Sequence, residues 1–299
     1  MPTPEQTSAP TFFPSHDGLE LAYHLVGTGK PLVCLAGGPM RASAYFGDLG
    51  GLSAHRRLVM LDLRGTGDSA HPTDIATYRC DRQVADVEAL REALGLDQID
   101  VLAHSAGSSL ATLYLTHHPH RVGDLVLVTP GPRALGFQPT AQDTLAAAEL
   151  RKHEPWFPEA FAALEAIWDG EDSDENWAKI TPFSYGRWDT QAQAHAAADD
   201  IEGNHEAAVI YGSAGAFDET SIREAFAARE APVLILGGAA DGWPSPRVCT
   251  EYAALFANAE LAFQPGAGHF PWLDDPAWFA RTVASFLAHA PATESATRP

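Results

Sequence analysis

The 299-residue sequence predicts an α/β fold: a mostly parallel central sheet with helices on both faces and an inserted helical cap. Three observations predict it. Apolar β-type runs alternate with segments of helical spacing, this rhythm stops after residue 132 and returns only at Pro232, and one run ends in a tight turn whose serine opens a helix.

Alternation of Leu19, Leu21, Tyr23 and Leu25 predicts an early antiparallel strand. Later strands are expected at residues 31–36, 58–62, 99–103, 124–129, 232–237 and 259–263, short apolar runs of the kind a sheet buried on both faces requires. Helices lie between them. In Asp81 to Leu94, for example, Val84, Val87, Leu90 and Leu94 keep helical spacing. The stretch from 133 to 228 is Ala-rich, helical in pattern and holds Trp156, Trp168, Trp177 and Trp188. It reads as a cap, leaving residues 1–132 and 229–299 as the two parts of the core. The tail from Pro291 to Pro299 reads as disordered.

Nineteen basic against thirty-nine acidic side chains give a net charge of −20, which disfavours nucleic acid and anionic membrane as partners. Met1 to Pro10 is polar and proline-rich, the first basic residue is Lys30, and no apolar run is long enough to span a bilayer. A cytoplasmic protein is expected. Cys34, Cys80 and Cys249 are scattered without metal-like spacing, as free thiols in a reducing compartment would be.

The chemistry-bearing feature is Ile99 to His117, where Ala103, Ser105 and Gly107 occupy the three fixed places of a nucleophile elbow. Small residues belong there because strand and helix pass closely at a strained turn; alanine stands where glycine is usual at the first place. A nucleophilic serine needs a base and a group to orient that base. Asp241 follows the strand that starts at Pro232, in a loop marked by Gly242, Pro244 and Pro246, and His269 follows the last strand in a glycine-rich loop. Both stand beyond the carboxyl ends of core strands, the ligand face of such a sheet. Ser105, Asp241 and His269 are therefore the candidate catalytic residues. The oxyanion would be held by the N–H groups of Ala106, at the helix start, and Gly38, in the loop Ala36-Gly-Gly-Pro-Met40. Gly37 and Met40 flank that donor and are candidate substrate contacts.

The loop Ala36 to Met40, the segment Asp62-Leu-Arg-Gly-Thr-Gly-Asp-Ser69, the elbow, Asp241 and Gly266-Ala-Gly-His269 together make the chain resemble an α/β hydrolase of the proline iminopeptidase type. The motifs cover both core halves, about two thirds of the chain; the middle matches poorly. The resemblance implies the same triad and oxyanion donors, and cap carboxylates that hold a substrate's free amine. Glu202-Gly-Asn-His-Glu206 is a partial match to the family's cap segment, so Glu202 and Glu206 are candidate amine anchors. The family usually has His and Gly where Ala36 and Met40 stand, and Met40 would put a thioether beside the pocket.

Other readings are weaker. His117, His118 and His120 lie at a helix end without the thiolates or carboxylates of a metal site, and no metal is expected. Gly65 to Ala70 fits a dinucleotide fingerprint, but His71-Pro72 follow at once and no helix opens to receive a pyrophosphate, so no cofactor is expected and the stretch reads as a structural turn bordering the pocket. His104, adjacent to the serine, is a poor base because it points elsewhere. The expected function is hydrolysis of an amide or ester in a small molecule or short peptide through an acyl-enzyme. Aminopeptidase activity, carboxylesterase or lactonase activity, and non-catalytic binding of a ligand on the same scaffold are the readings to separate.

Overall fold

The computed structural model describes residues 9–288, so the expectation for the tail at 291–299 lies outside the described residues. Eight strands form one sheet in the order β1-β2-β4-β3-β5-β6-β7-β8. They are β1 (Thr11–Pro14), β2 (Glu20–Val26), β3 (Pro31–Leu35), β4 (Arg57–Leu61), β5 (Ile99–His104), β6 (Val122–Val128), β7 (Val233–Gly238) and β8 (Ala259–Gln264). The pairs β1–β2 and β2–β4 are antiparallel, and every pair beyond them is parallel. Each expected strand is present within two residues. No sequence signal marks β1, four residues ending in a proline at the sheet edge, too short to show a period.

Alternate residues of the parallel strands enter different cores, which is why these runs are continuously apolar. Val33, Leu35, Val101, Leu125 and Ile235 join one cluster with side chains of α1 (Val84–Ala93), α2 (Gly107–His117), α9 (Glu219–Ala228) and α10 (Pro246–Ala253). Leu32, Leu102, Val126, Leu234 and Leu236 join the other with Tyr45, Phe46, Trp272 of α11 (Pro271–Asp274) and Phe279 and Val283 of α12 (Pro276–Ala288). The helix expected from Asp81 starts instead as a 3₁₀ turn, Cys80–Gln83, that runs into α1.

Between β6 and β7 the elements are α3 (Ala141–Glu149), α4 (Phe157–Trp168), α5 (Asp174–Ile180), a 3₁₀ turn at Thr181–Ser184, α6 (Thr190–Ala197), α7 (Asp199–Glu202), α8 (His205–Tyr211) and α9, with no strand among the described residues. Their frequent restarts are written in the caps: Thr140, Ser173, Asp189, Asn204 and Asp218 each accept a first-turn N–H. Helices α3 to α5 bury their own small core of Ala148, Ala160, Ala163, Leu164, Ile180 and Phe183. The last helix of the stretch differs, since Ile222 and Phe226 of α9 are packed into the main core. No helix of the described residues is long and apolar enough to cross a membrane. All three cysteines are free and buried.

Candidate active site

β5 delivers His104, and the chain then turns at Ser105 with φ of 51°, a left-handed conformation that costs a non-glycine residue about 1–3 kcal/mol. Neighbouring backbone holds it there: Ser105 N–H donates to Val128 C=O (3.0 Å), and Gly131 N–H donates to Ser105 C=O (2.9 Å). A Cβ on Gly107 would sit 2.3 Å from the Leu35 carbonyl oxygen, so α2 crosses β3 at backbone contact. Ala103 is wholly buried, and its methyl is accommodated. Gly107→Ala is accordingly expected to cost about 1–3 kcal/mol through overpacking, read as a lower urea midpoint at an unchanged slope.

Asp241 follows β7 and is 2% exposed. Its Oδ1 accepts the Trp243 N–H (2.8 Å), and its Oδ2 accepts Nδ1–H of His269 (2.8 Å), leaving His269 Nε2 as the free acceptor. The histidine loop is fixed from several sides. His269 N–H donates to Ser184 C=O (2.7 Å), Gly268 N–H donates to Asp274 Oδ2 (2.8 Å), and the His269 carbonyl accepts from Thr129 Oγ1 (3.1 Å) and from His104 Nε2 (2.9 Å). That last bond settles the role of His104. Its Nε2 is a donor, its Nδ1 accepts from Tyr45 OH (2.7 Å), and the same phenol accepts the Gly37 N–H (2.8 Å). Burial pushes the His104 pKa well below the usual value, and the His269, His195 and Arg41 charges add to this, so it stays neutral as a brace between the Gly37 loop and the histidine loop.

Ser105, His269, Asp241, Gly38 and Ala106 all line one cavity of about 1000 Å³. A smaller one, about 610 Å³, also opens on Gly38, Ser105 and His269. Neither the Gly38 nor the Ala106 N–H has a partner among the described residues. Ser105 Oγ makes no hydrogen bond to His269 among the described residues; they meet across shared space, as is common before substrate tightens such a site.

Four residues expected at the substrate surface stand elsewhere, and none lines either cavity. Gly37 is under the elbow, where a Cβ would lie 2.8 Å from the His104 carbonyl oxygen. Met40 turns inward at φ 64°, is wholly buried, and its Sδ accepts from Gln83 Nε2 (3.4 Å). Glu202 is spent on Arg41, whose Nε (2.8 Å) and Nη2 (2.7 Å) both reach its Oε2. Glu206 is exposed on α8. The turn at Asp62–Ser69 also lies off the cavities. It is structural: Asp62 accepts from Ser43 N–H and Oγ–H (2.8 and 2.7 Å), and buried Arg64 forms a bidentate pair with Asp86 of α1 (2.8 and 2.6 Å).

The carboxylates that do line the smaller cavity are Asp174, Asp199 and Asp200, together with Arg41. Behind them, Tyr185 OH donates to His195 Nδ1 (2.8 Å), and His195 Nε2 donates to the Tyr45 carbonyl (3.2 Å). Burial pulls the His195 pKa down to about 4, and the Arg41 charge adds to the effect. In the unfolded chain this group titrates near 6.5, so its contribution to stability is complete above that pH and is lost as the pH falls towards 4. His104 acts in the same direction. The Tm is expected to drop between pH 7 and 4, with a shallower slope in His195→Asn.

A family model of the alpha/beta hydrolase fold matches residues 30–276, the greater part of the chain. The chain belongs to that family. A proline iminopeptidase of Heyndrickxia coagulans is 24% identical over 276 residues, 87% of this chain and 91% of the relative. A pimeloyl-[acyl-carrier protein] methyl ester esterase of Edwardsiella ictaluri is 28% identical over 272 residues, 89% and 96%. Several other curated relatives match over shorter stretches, about half of their length. Among solved structures, an esterase from Rhodococcus sp. ECU1013 superposes with a TM-score of 0.72 at 23% identity, covering 94% of this chain and 99% of that one.

Residues outside the motifs also line these cavities, and of the four cap tryptophans that the sequence offers as pocket candidates Trp177 is the one that does so. Trp177 lines both cavities and Trp243 the larger, their rings 6.2 Å apart, whereas Trp156 packs on Phe183 and Trp188 on Tyr185. Asp274 accepts N–H groups from Gly186 (2.9 Å) and Arg187 (3.2 Å) as well as Gly268, joining the segment after the 3₁₀ turn to the histidine loop. Burial raises its pKa despite those donors.

Proposed function

We propose that this chain is a serine hydrolase that cleaves an ester through an acyl-enzyme. The observation that carries the reading is the 2.8 Å bond from His269 to buried Asp241, with His269, Ser105 and the two unpartnered N–H groups facing the same cavity. His269 Nε2 takes the Ser105 proton as Oγ attacks the carbonyl carbon. The oxygen that becomes anionic is received by the Gly38 and Ala106 N–H groups. His269 then gives its proton to the leaving oxygen as the C–O bond breaks, and water, deprotonated by the same nitrogen, releases the acid and restores Ser105. In this reading the described residues before 133 and after 228 form the catalytic core together with α9, and the helices between β6 and α9 cap it.

Esters are favoured because the candidate amine anchor is engaged: Glu202 is neutralised by Arg41, and Glu206 is exposed. The larger cavity has apolar wall from Ile180, Phe183, Phe217 and Trp243, suited to an acyl chain. The relative named as a methyl ester esterase is in line with this. One observation favours an aminopeptidase: Asp174, Asp199 and Asp200 line the smaller cavity, where an ammonium could be paired. The test is kcat/KM for nitrophenyl esters of rising acyl length against a proline anilide, with fluorophosphonate labelling of the folded protein. Ester turnover with labelling at Ser105 supports the proposal. Preferred cleavage of the free-amine anilide would move it to the peptidase reading, and folded protein that resists the probe would leave a binding scaffold.

A further inference from the structure

Arg151, just past α3, is 4% exposed and has no carboxylate partner among the described residues. Its donors go to backbone carbonyls instead. Nη1 donates to Ala147, one turn back, and to Ala240, the residue before Asp241; Nη2 donates to Phe183 (3.2 Å) and Tyr185 (3.1 Å). Between those last two stands Ser184, whose carbonyl receives the His269 N–H at 2.7 Å. One guanidinium thus grips the residue ahead of the acid and both neighbours of the base's anchor. Burying a charge with carbonyls alone is costly, and burial does lower the Arg151 pKa, so its geometry needs a reason beyond α3 itself.

We propose that Arg151 is a positioning residue for the Asp241–His269 pair, holding the acid loop and the histidine anchor at the spacing that lets the two side chains bond. The inference rests on the reading of Ser105, Asp241 and His269 as a catalytic set. The planar fork is what the role needs, because a single ammonium cannot reach carbonyls on three segments at once. Backbone packing leaves little slack to replace it: a Cβ at Gly238 would lie 2.0 Å from the Gly268 carbonyl oxygen, so movement of the acid loop pushes directly on the loop of the base.

Arg151 also contributes a buried positive charge. His269 is faced by Asp241, by the neutral His104 ring at 4.8 Å, and by Asp199 and His205 on the cavity wall; Asp274 lies under Gly268, and the Cys249 thiol of α10 and Arg151 act on Asp241. Arg41, the cation of the smaller cavity, is already paired with Glu202. Arg151 is thus a buried cation with no carboxylate partner among the described residues, and its charge acts on Asp241 of the pair.

The experiment compares Arg151→Met and Arg151→Lys with wild type in the full chain. With a nitrophenyl ester, Arg151→Met is expected to lower kcat on the order of 10²-fold with KM little changed, the scale set by a small misplacement of catalytic groups. The acid limb of its kcat/KM profile moves to higher pH, whereas Arg151→Lys keeps the limb in place and recovers only part of kcat. A folded Arg151→Met with wild-type kcat and profile overturns the inference. A second readout does not depend on turnover: the downfield proton NMR signal of the His269 Nδ1–H should broaden or vanish in Arg151→Met, and a signal unchanged in position and titration overturns the positioning role. If Arg151→Met does not fold, Arg151→Lys decides, because wild-type kcat with an unchanged signal would show that the fork is not needed. Failure of the hydrolase reading is seen separately, as wild-type protein with no Ser105-dependent turnover.

Discussion

Ser105→Ala is expected to lower kcat/KM for the preferred nitrophenyl ester by a factor on the order of 10⁶, to abolish fluorophosphonate labelling, and to leave the fold intact. The size follows from the proposed mechanism, in which Ser105 acts as one unit with His269 and Asp241. Without Oγ there is no atom for His269 to activate, and the remaining rate is what the oxyanion donors and binding supply to attack by water. Asp241→Asn is expected to cost less, about 10⁴, because the amide can still fill the space but forces His269 into the tautomer with the proton on the wrong nitrogen. The two losses should not add; the double variant should be no slower than Ser105→Ala, which distinguishes a catalytic unit from independent contributions. Ser105→Gly separates catalysis from strain. It is equally inactive, but glycine adopts φ 51° without penalty, so it should be more stable than Ser105→Ala by about 1 kcal/mol in urea melts. Equal stability would mean that the elbow stores no strain at this residue, and Ser105-independent turnover would remove the serine mechanism altogether.

The sheet and the elbow were legible because their signals are local. Continuous apolar runs mark strands buried on both faces, and the small residues at 103 and 107 mark a close crossing whose contact distance the structure supplies. The loop positions of Asp241 and His269 follow from where the runs of β7 and β8 end, while the bond between them is seen only in the structure. Local signals stop where a side chain has a choice of partners. Met40 follows Gly38 in sequence and reads as a pocket residue, yet its positive φ turns it into the core beside Gln83. Glu202 sits in a segment that resembles an amine-binding one, but Arg41, 161 residues earlier, takes its carboxylate. Arg151 carries no motif, since its partners are carbonyls and carbonyls have no sequence. The tryptophans divide for a similar reason: Trp177 and Trp156 look alike in a helical pattern, and only packing decides that one faces the cavity and the other Phe183.

Glu202→Ala is expected to destabilise the protein by about 3 kcal/mol while leaving the ratio of free-amine to N-acetylated anilide turnover unchanged, two results that an amine anchor would reverse. Arg41 is 4% exposed, and removing Glu202 leaves it with a longer contact to half-exposed Asp199 (3.4 Å) and the His195 carbonyl (2.8 Å). A guanidinium left short of charge in that position is costly, which sets the magnitude. The site of damage is also defined. Ala42 N–H donates to the Glu202 carbonyl (2.9 Å), Asn204 N–H donates to the Met40 carbonyl (2.9 Å), and Asn204 Nδ2 donates to the Gly65 carbonyl (2.8 Å). Residues 202–204 therefore staple the α7–α8 segment to Met40 and Ala42, just after Gly38, and to the Asp62–Ser69 turn. Weakening the staple loosens Gly38, so on the proposed mechanism ester turnover should fall modestly, in kcat rather than KM, because displacing the proposed oxyanion donor is felt in the transition state more than in the ground state. A true ammonium anchor behaves in the opposite way: its loss raises KM for the free amine alone, spares the ester, and relieves a carboxylate that would otherwise need a cation. Differential scanning calorimetry and the two anilides, run on one preparation of Glu202→Ala, tell these apart. An unchanged Tm with selective loss of free-amine turnover would return Glu202 to the substrate and the chain to the aminopeptidases.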